Sequence, residues 1–187
     1  MKGTILFVSL AILAFKNAFN NDDQLLKNTS ETKAYIRVNY MRTTIEDTSF
    51  VSKAIDANRH EIMMAQVALQ KSSSAEVKAL AQKLVTDHTQ LLQQLQNLKG
   101  NNVNSNTTTN NFTDSTGVNT MYNNISGITF DRQWVGDMIA GHQKTLTDFK
   151  TELAQTNDAN LKTLINNALP TIQEHLKQLQ MIRGKMM

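Results

Sequence analysis

The stretch AEVKALAQKLVTDHTQLLQQLQNLK, residues 75–99, sets the fold class. Val77, Ala81, Leu84, His88, Leu91, Leu95 and Leu98 follow one another at spacings of four and three, which gathers them on one face of a helix. Such a stripe must pack against other helices. Ser73, with Glu76 three residues later, reads as a capping box that opens the helix, and Gly100 closes it.

The same periodicity recurs on both sides. Upstream, Val51, Ile55, Ile62 and Leu69 mark a helix from about Asp47 to Lys71, with Asp47 or Thr48 as cap and Ser72–Ser74 as the break. Downstream, residues 100–128 are rich in Asn and Thr with Asp114 as sole charge, the composition of a long exposed loop. A third stripe, Val135, Met138, His142, Leu146, Phe149 and Leu153, lies on a helix from about Asp131 to Gln155, capped by Thr129 or Asp131. After a turn at Asn157-Asp158, a fourth runs through Leu161, Ile165, Ala168, Ile172, His175, Leu179 and Ile182, with Pro170 expected to kink it. Four amphipathic helices joined by short turns and one long loop predict an all-α four-helix bundle over residues 48–183.

The N-terminal end has a different character. Lys2 followed by the apolar run Thr4–Phe15 has the form of a secretory signal, residues 1–18, too short to span a bilayer as a helix. The cleavage site is poor, because Lys16 stands where a small side chain is wanted. Residues 19–47 are polar and read as a flexible leader. The absence of cysteine removes disulfides, thiolate nucleophiles and thiolate metal sites. The 19 basic residues include Lys2 and Lys16, so a chain cut after Ala18 carries 17 basic and 16 acidic residues. That near-balance excludes nucleic acid as a main partner.

The polar residues on apolar stripes carry the functional signal. His88, His142 and His175 each sit on the stripe of a different helix, and Glu61 lies about 60° from the centre of the first helix's apolar face. At about 1.5 Å per residue, Glu61 and His88 fall about 6 Å apart in height, and His142 and His175 about 4 to 5 Å. All four are central in the bundle. Small neighbours at Ala54, Ala65 and Ala68 leave room for the Glu61 carboxylate to turn inward. Three imidazoles and a carboxylate in one layer suit a single transition-metal ion, with zinc, copper and iron all compatible with the donor set.

The competing reading is a polar cluster that fixes helix register, in an envelope interaction or stress protein whose histidines are structural. His60 projects to the polar side. Asp87 and Glu174 are turned about 100° from the stripes, where either can orient an imidazole. Met63, Met64, Met138 and Met181 are scattered as core filling, and Trp134 is a packing anchor. A phosphate loop, an HExxH motif and a Ser-His-Asp order are all missing, so an enzyme has no support beyond the open position a three-histidine site can leave for water.

Glu61 with its following alanines, VTDHTQLL around His88, FDRQWVGDMIAGHQKTL from Phe130 to Leu146, and ALPTIQEHL from Ala168 to Leu176 together resemble a bacterial family, domain of unknown function 4142. The resemblance covers about Phe50 to Ile182. It implies a ferritin-like four-helix fold and an exported protein, periplasmic or associated with the outer membrane, in which a membrane or envelope contact is open and no protein partner is specified. It also implies that Glu61, His88, Asp131, His142, Pro170 and His175 are characteristic positions. Ferritin-like di-iron enzymes need two Glu-x-x-His motifs. This chain has none, so the fold carries no oxidase or iron-storage activity with it.

Overall fold

The computed structural model describes residues 30–100 and 116–186, which places the expected signal and most of the Asn/Thr-rich loop outside the described residues. Five helices follow in order: α1 Ser30–Lys71, α2 Ala75–Gly100, α3 Thr116–Met121, α4 Gly127–Gln155 and α5 Ala159–Lys185. No strand occurs among the described residues. The chain divides into two units, residues 1–42 and 43–187; the boundary falls within α1, and the bundle of residues 43–71 of α1 with α2, α4 and α5 lies in the second. Among the described residues, no helix is long and apolar enough to cross a membrane.

Each bundle helix buries most of its expected stripe, with Leu69, Leu98 and Leu153 half-buried near the helix ends. On α2 the buried face comprises Val77, Leu80, Ala81, Leu84, His88, Leu91, Leu92 and Leu95. On α5 it comprises Leu161, Leu164, Ile165, Ala168, Ile172, His175, Leu179 and Ile182. A fully buried Leu or Ile contributes about 1.5–3 kcal/mol over an exposed one, so four such stripes hold the bundle together. The closest backbone packing joins α5 to α4 and to α2.

The ends show how local chemistry sets the boundaries. Asp158 caps α5, its Oδ1 accepting from Asn160 N at 2.7 Å and Leu161 N at 3.0 Å. At the start of α2 the cap is Ser74, whose Oγ accepts from Val77 N at 3.3 Å, one residue later than the expected Ser73. α4 begins at Gly127 and not near Asp131; Gly127 has φ +57°, a turn that a side chain would strain, and this lets the chain enter the helix four residues earlier. α5 continues through Pro170, which lies on an exposed position.

Two segments depart further from expectation. α1 starts at Ser30, inside the stretch read as a leader. Ser30–Lys71 contains neither glycine nor proline, and apolar periodicity marks burial, not helicity, so the first part of this helix carries no stripe to read. Within the stretch read as exposed loop, α3 and the turn after it deliver Val118 and Tyr122 to the core, at 3% and 0% exposure. The Tyr122 carbonyl accepts from Lys71 Nζ, and its hydroxyl donates to Asp137 Oδ2 at 2.9 Å.

The apolar interior falls into two clusters. One gathers Leu84, Tyr122, Phe130, Trp134 and Leu179. The other gathers Ile55, Leu95, Phe149, Leu161 and Ile172. On α2, α4 and α5 the change from one cluster to the other falls at His88, His142 and His175, and on α1 it falls just after Glu61, between Ile62 and Met64.

Candidate metal centre

Glu61, His88, His142 and His175, one from each bundle helix, meet in the layer between the two clusters. Their exposures are 7%, 2%, 0% and 1%. The three imidazole rings pack edge to face or tilted, with centroids 5.3 to 5.5 Å apart. One nitrogen from each lies within 4.8 Å of the other two. Glu61 Oε2 stands 2.8 Å from His88 Nε2 and 3.6 Å from His142 Nε2.

The outward nitrogen of each ring is held by a group outside this layer. His88 Nδ1 is 2.9 Å from Asn58 Oδ1, and Asn58 Nδ2 donates to the Ala54 carbonyl at 2.8 Å. The Asn58 oxygen is thus an acceptor, so the proton of neutral His88 sits on Nδ1. His142 Nδ1 donates to the Met138 carbonyl at 3.0 Å. His175 Nε2 donates to Asp87 Oδ2 at 2.7 Å. With those protons assigned, His88 Nε2, His142 Nε2 and His175 Nδ1 present lone pairs to the interior. These three atoms and Glu61 Oε2 are buried, and their nearest polar approach is the 2.8 Å contact of Glu61 Oε2 with His88 Nε2 within the layer itself.

Electrostatics favours neutral rings at His142 and His175 and a charged carboxylate at Glu61. Burial pushes the His175 pKa down to about 4, more than Asp87 can restore. Burial likewise lowers His142, with Glu61 pulling the other way. Burial alone would raise Glu61, but a hydrogen bond from His88 and the positive charge that the three rings carry when protonated outweigh it and hold the carboxyl below its ordinary range. Asp87 is also lowered, burial being outweighed by Lys83 and His175. With the ring protons on the outward nitrogens, the interior face holds three imidazole lone pairs and the Glu61 carboxylate. Acceptors so arranged repel one another unless a cation sits between them.

The four residues read from the sequence as ligands are thus brought together. His60 is exposed, as its position on the wheel required. Glu174 is exposed and accepts from Gln178, whereas Asp87 is the carboxylate that orients an imidazole, and it does so across helices. Asp131, about 16 Å along α4 from His142 at 1.5 Å per residue, lies outside the layer. It is 2% exposed, with Oδ1 unpartnered. Asn58 was missed. Its signal was available, because Val51, Ile55, Asn58 and Ile62 keep the four-three spacing and leave an amide on an apolar stripe.

The profile of the family described as Domain of unknown function (DUF4142) matches residues 38–182, and the chain belongs to that family. A search of curated proteins finds no match. Among solved structures, CopM in a silver-bound form obtained by soaking is similar, with a TM-score of 0.61 and 19% identity over 74% of this chain and 95% of that one. CopM in its Cu(II)-bound form gives a TM-score of 0.60 at 19% identity, over 74% and 97%. A two-domain protein from Anabaena variabilis, with DJ-1/ThiJ/PfpI-like and ferritin-like domains, gives 0.55 at 14% identity, over 75% of this chain and 39% of that one. At these identities the likeness shows the shared fold.

Proposed function

We propose that this member of the DUF4142 family is an exported protein that binds one transition-metal ion in its bundle core. His88 Nε2, His142 Nε2, His175 Nδ1 and Glu61 Oε2 are the ligands. The observation that carries this reading is the convergence of four buried, unpartnered acceptor atoms in one layer. Bonds of about 2.0–2.1 Å place tetrahedral ligand atoms ~3.4 Å apart. The contacts from Glu61 to His88 and His142, 2.8 and 3.6 Å, bracket that edge.

The chemistry narrows the ion. Three imidazoles and a carboxylate form a nitrogen and oxygen set suited to Cu(II), Zn(II) or Fe(II) and short of the soft ligands that single out Cu(I). Similar structures carry copper and silver, so copper is the ion this reading puts first. Asn58, the Met138 carbonyl and Asp87 fix the ring orientation and tautomer, which is how such partners raise the affinity of imidazole ligands. The apolar N-terminal run Thr4–Phe15 supports export.

Metal analysis tests the reading. Full-length protein incubated with Cu(II) and desalted should retain one ion per chain, and the His88→Ala, His142→Ala, His175→Ala triple variant should retain essentially none. Equal copper in both proteins would overturn it. That result would leave the polar layer as a device that fixes helix register.

A further inference from the structure

A bound ion enclosed by four helices needs a way in, and the four ligands are not equally free to move. His88, His142 and His175 are each tied to a group outside the layer, through Asn58, the Met138 carbonyl and Asp87. Glu61 Oε2 approaches the imidazoles of the layer itself, and no tie to a group outside it holds that oxygen among the described residues. It is also the one ligand of the four that lines a groove of about 780 Å³ between α1 and α4. Phe50 and Ala57 flank that groove on α1, and Gly141 and Phe149 on α4. Gly141 borders the space over the carboxylate: a Cβ there would stand 3.4 Å from Glu61 Oε1, in van der Waals contact, so a larger side chain would cover it.

We infer that the metal ion enters and leaves through the α1–α4 groove, with Glu61 as the ligand that swings aside. This rests on the metal-binding reading above. Three clamped imidazoles hold the site's shape while one carboxylate changes position, so the site exchanges its ion without opening the bundle. The metal is then cargo that can be loaded and withdrawn, in contrast to a structural ion sealed in at folding. A rival route exists. His88 and His175 line a smaller cleft of about 130 Å³ between α2 and α5, whose rim includes Thr171.

Withdrawal of Cu(II) from the loaded full-length protein by excess EDTA, followed through the copper absorbance, separates the routes. Gly141→Leu should slow release about tenfold, the effect of a barrier raised by ~1.4 kcal/mol, with one ion per chain still bound. Ala57→Leu, at an exposed position on the opposite wall, should slow it in the same direction and guards against a folding defect at residue 141. Thr171→Leu should release at the wild-type rate. Slowing by Thr171→Leu alone, or identical rates in all four proteins, would overturn the inference while leaving metal binding intact. A wild-type chain that takes up no Cu(II) would overturn both.

Discussion

Around Trp134 the indole N–H donates to the Met64 carbonyl at 2.9 Å and the Tyr122 hydroxyl donates to Asp137 at 2.9 Å. Two turns along α4, around His142, four acceptor atoms from four helices face one another. Near the Trp134 end, Asp131 Oδ1 is buried and unpartnered among the described residues. Both regions are almost fully buried, and burial of an unmatched polar group costs about 1–3 kcal/mol. The contrast teaches that these two parts of one core do different work. The first satisfies its indole and phenol within the protein; the second leaves its acceptors unmatched, as the proposed ion site requires.

The largest effect that sharpens this contrast lies in the first region. Trp134 is 0% exposed and joins α4 to α1, so Trp134→Ala should cost about 3–5 kcal/mol in chemical denaturation. The folded fraction should still bind one metal ion. Loss of metal stoichiometry in protein that remains folded would erase the division between the regions.

Acid should act on the second region. The His175 pKa is depressed to about 4 in the folded state, against about 6.5 when unfolded. Below pH 6.5 the unfolded chain takes up a proton that the folded chain refuses. The stability of the metal-free protein is therefore full above about pH 6.5 and falls as the pH drops toward 4, by roughly 3 kcal/mol from this group. His142, lowered by burial, acts in the same direction. Urea midpoints measured across pH 4–8 check this, and a flat profile would mean that folding leaves the His175 pKa at its unfolded value.

The smallest effect is the most discriminating. With metal absent, His142→Leu removes an unmatched acceptor from a site that is 0% exposed. It should leave stability unchanged or raise it by ~1 kcal/mol, since an apolar replacement can outdo an unsatisfied polar group. The same variant should lose the stabilisation of about 2.7 kcal/mol that a metal confers at a hundredfold excess over its Kd. Thermal melts with and without Cu(II) measure both quantities. A structural hydrogen-bonded cluster gives the opposite pattern: a less stable variant and a wild type indifferent to metal.

The stripe on residues 75–99 was enough to read α2, and the equivalent stripes gave α4, α5 and the lower part of α1, because a helix that buries one face must repeat its apolar residues near 3.6. The four central polar residues were legible for the same reason, since each interrupts or borders a stripe. Their partners were not all visible. Asp87 and His175 are 88 residues apart, and their contact depends on the axial register of α2 against α5, which no single-helix period encodes. Val118 and Tyr122 hid within a segment whose Asn and Thr content signals a loop, although packing decides which of its residues are buried. The start of α1 at Ser30 left no apolar stripe to read.

The most direct measurement is an anomalous difference map from crystals of the copper-loaded protein, collected at the copper edge. A single peak about 2.0–2.2 Å from His88 Nε2, His142 Nε2 and His175 Nδ1 is the expected result. A peak on other side chains, or none in the layer between the two apolar clusters, would contradict the claim that these lone pairs are held open for an ion.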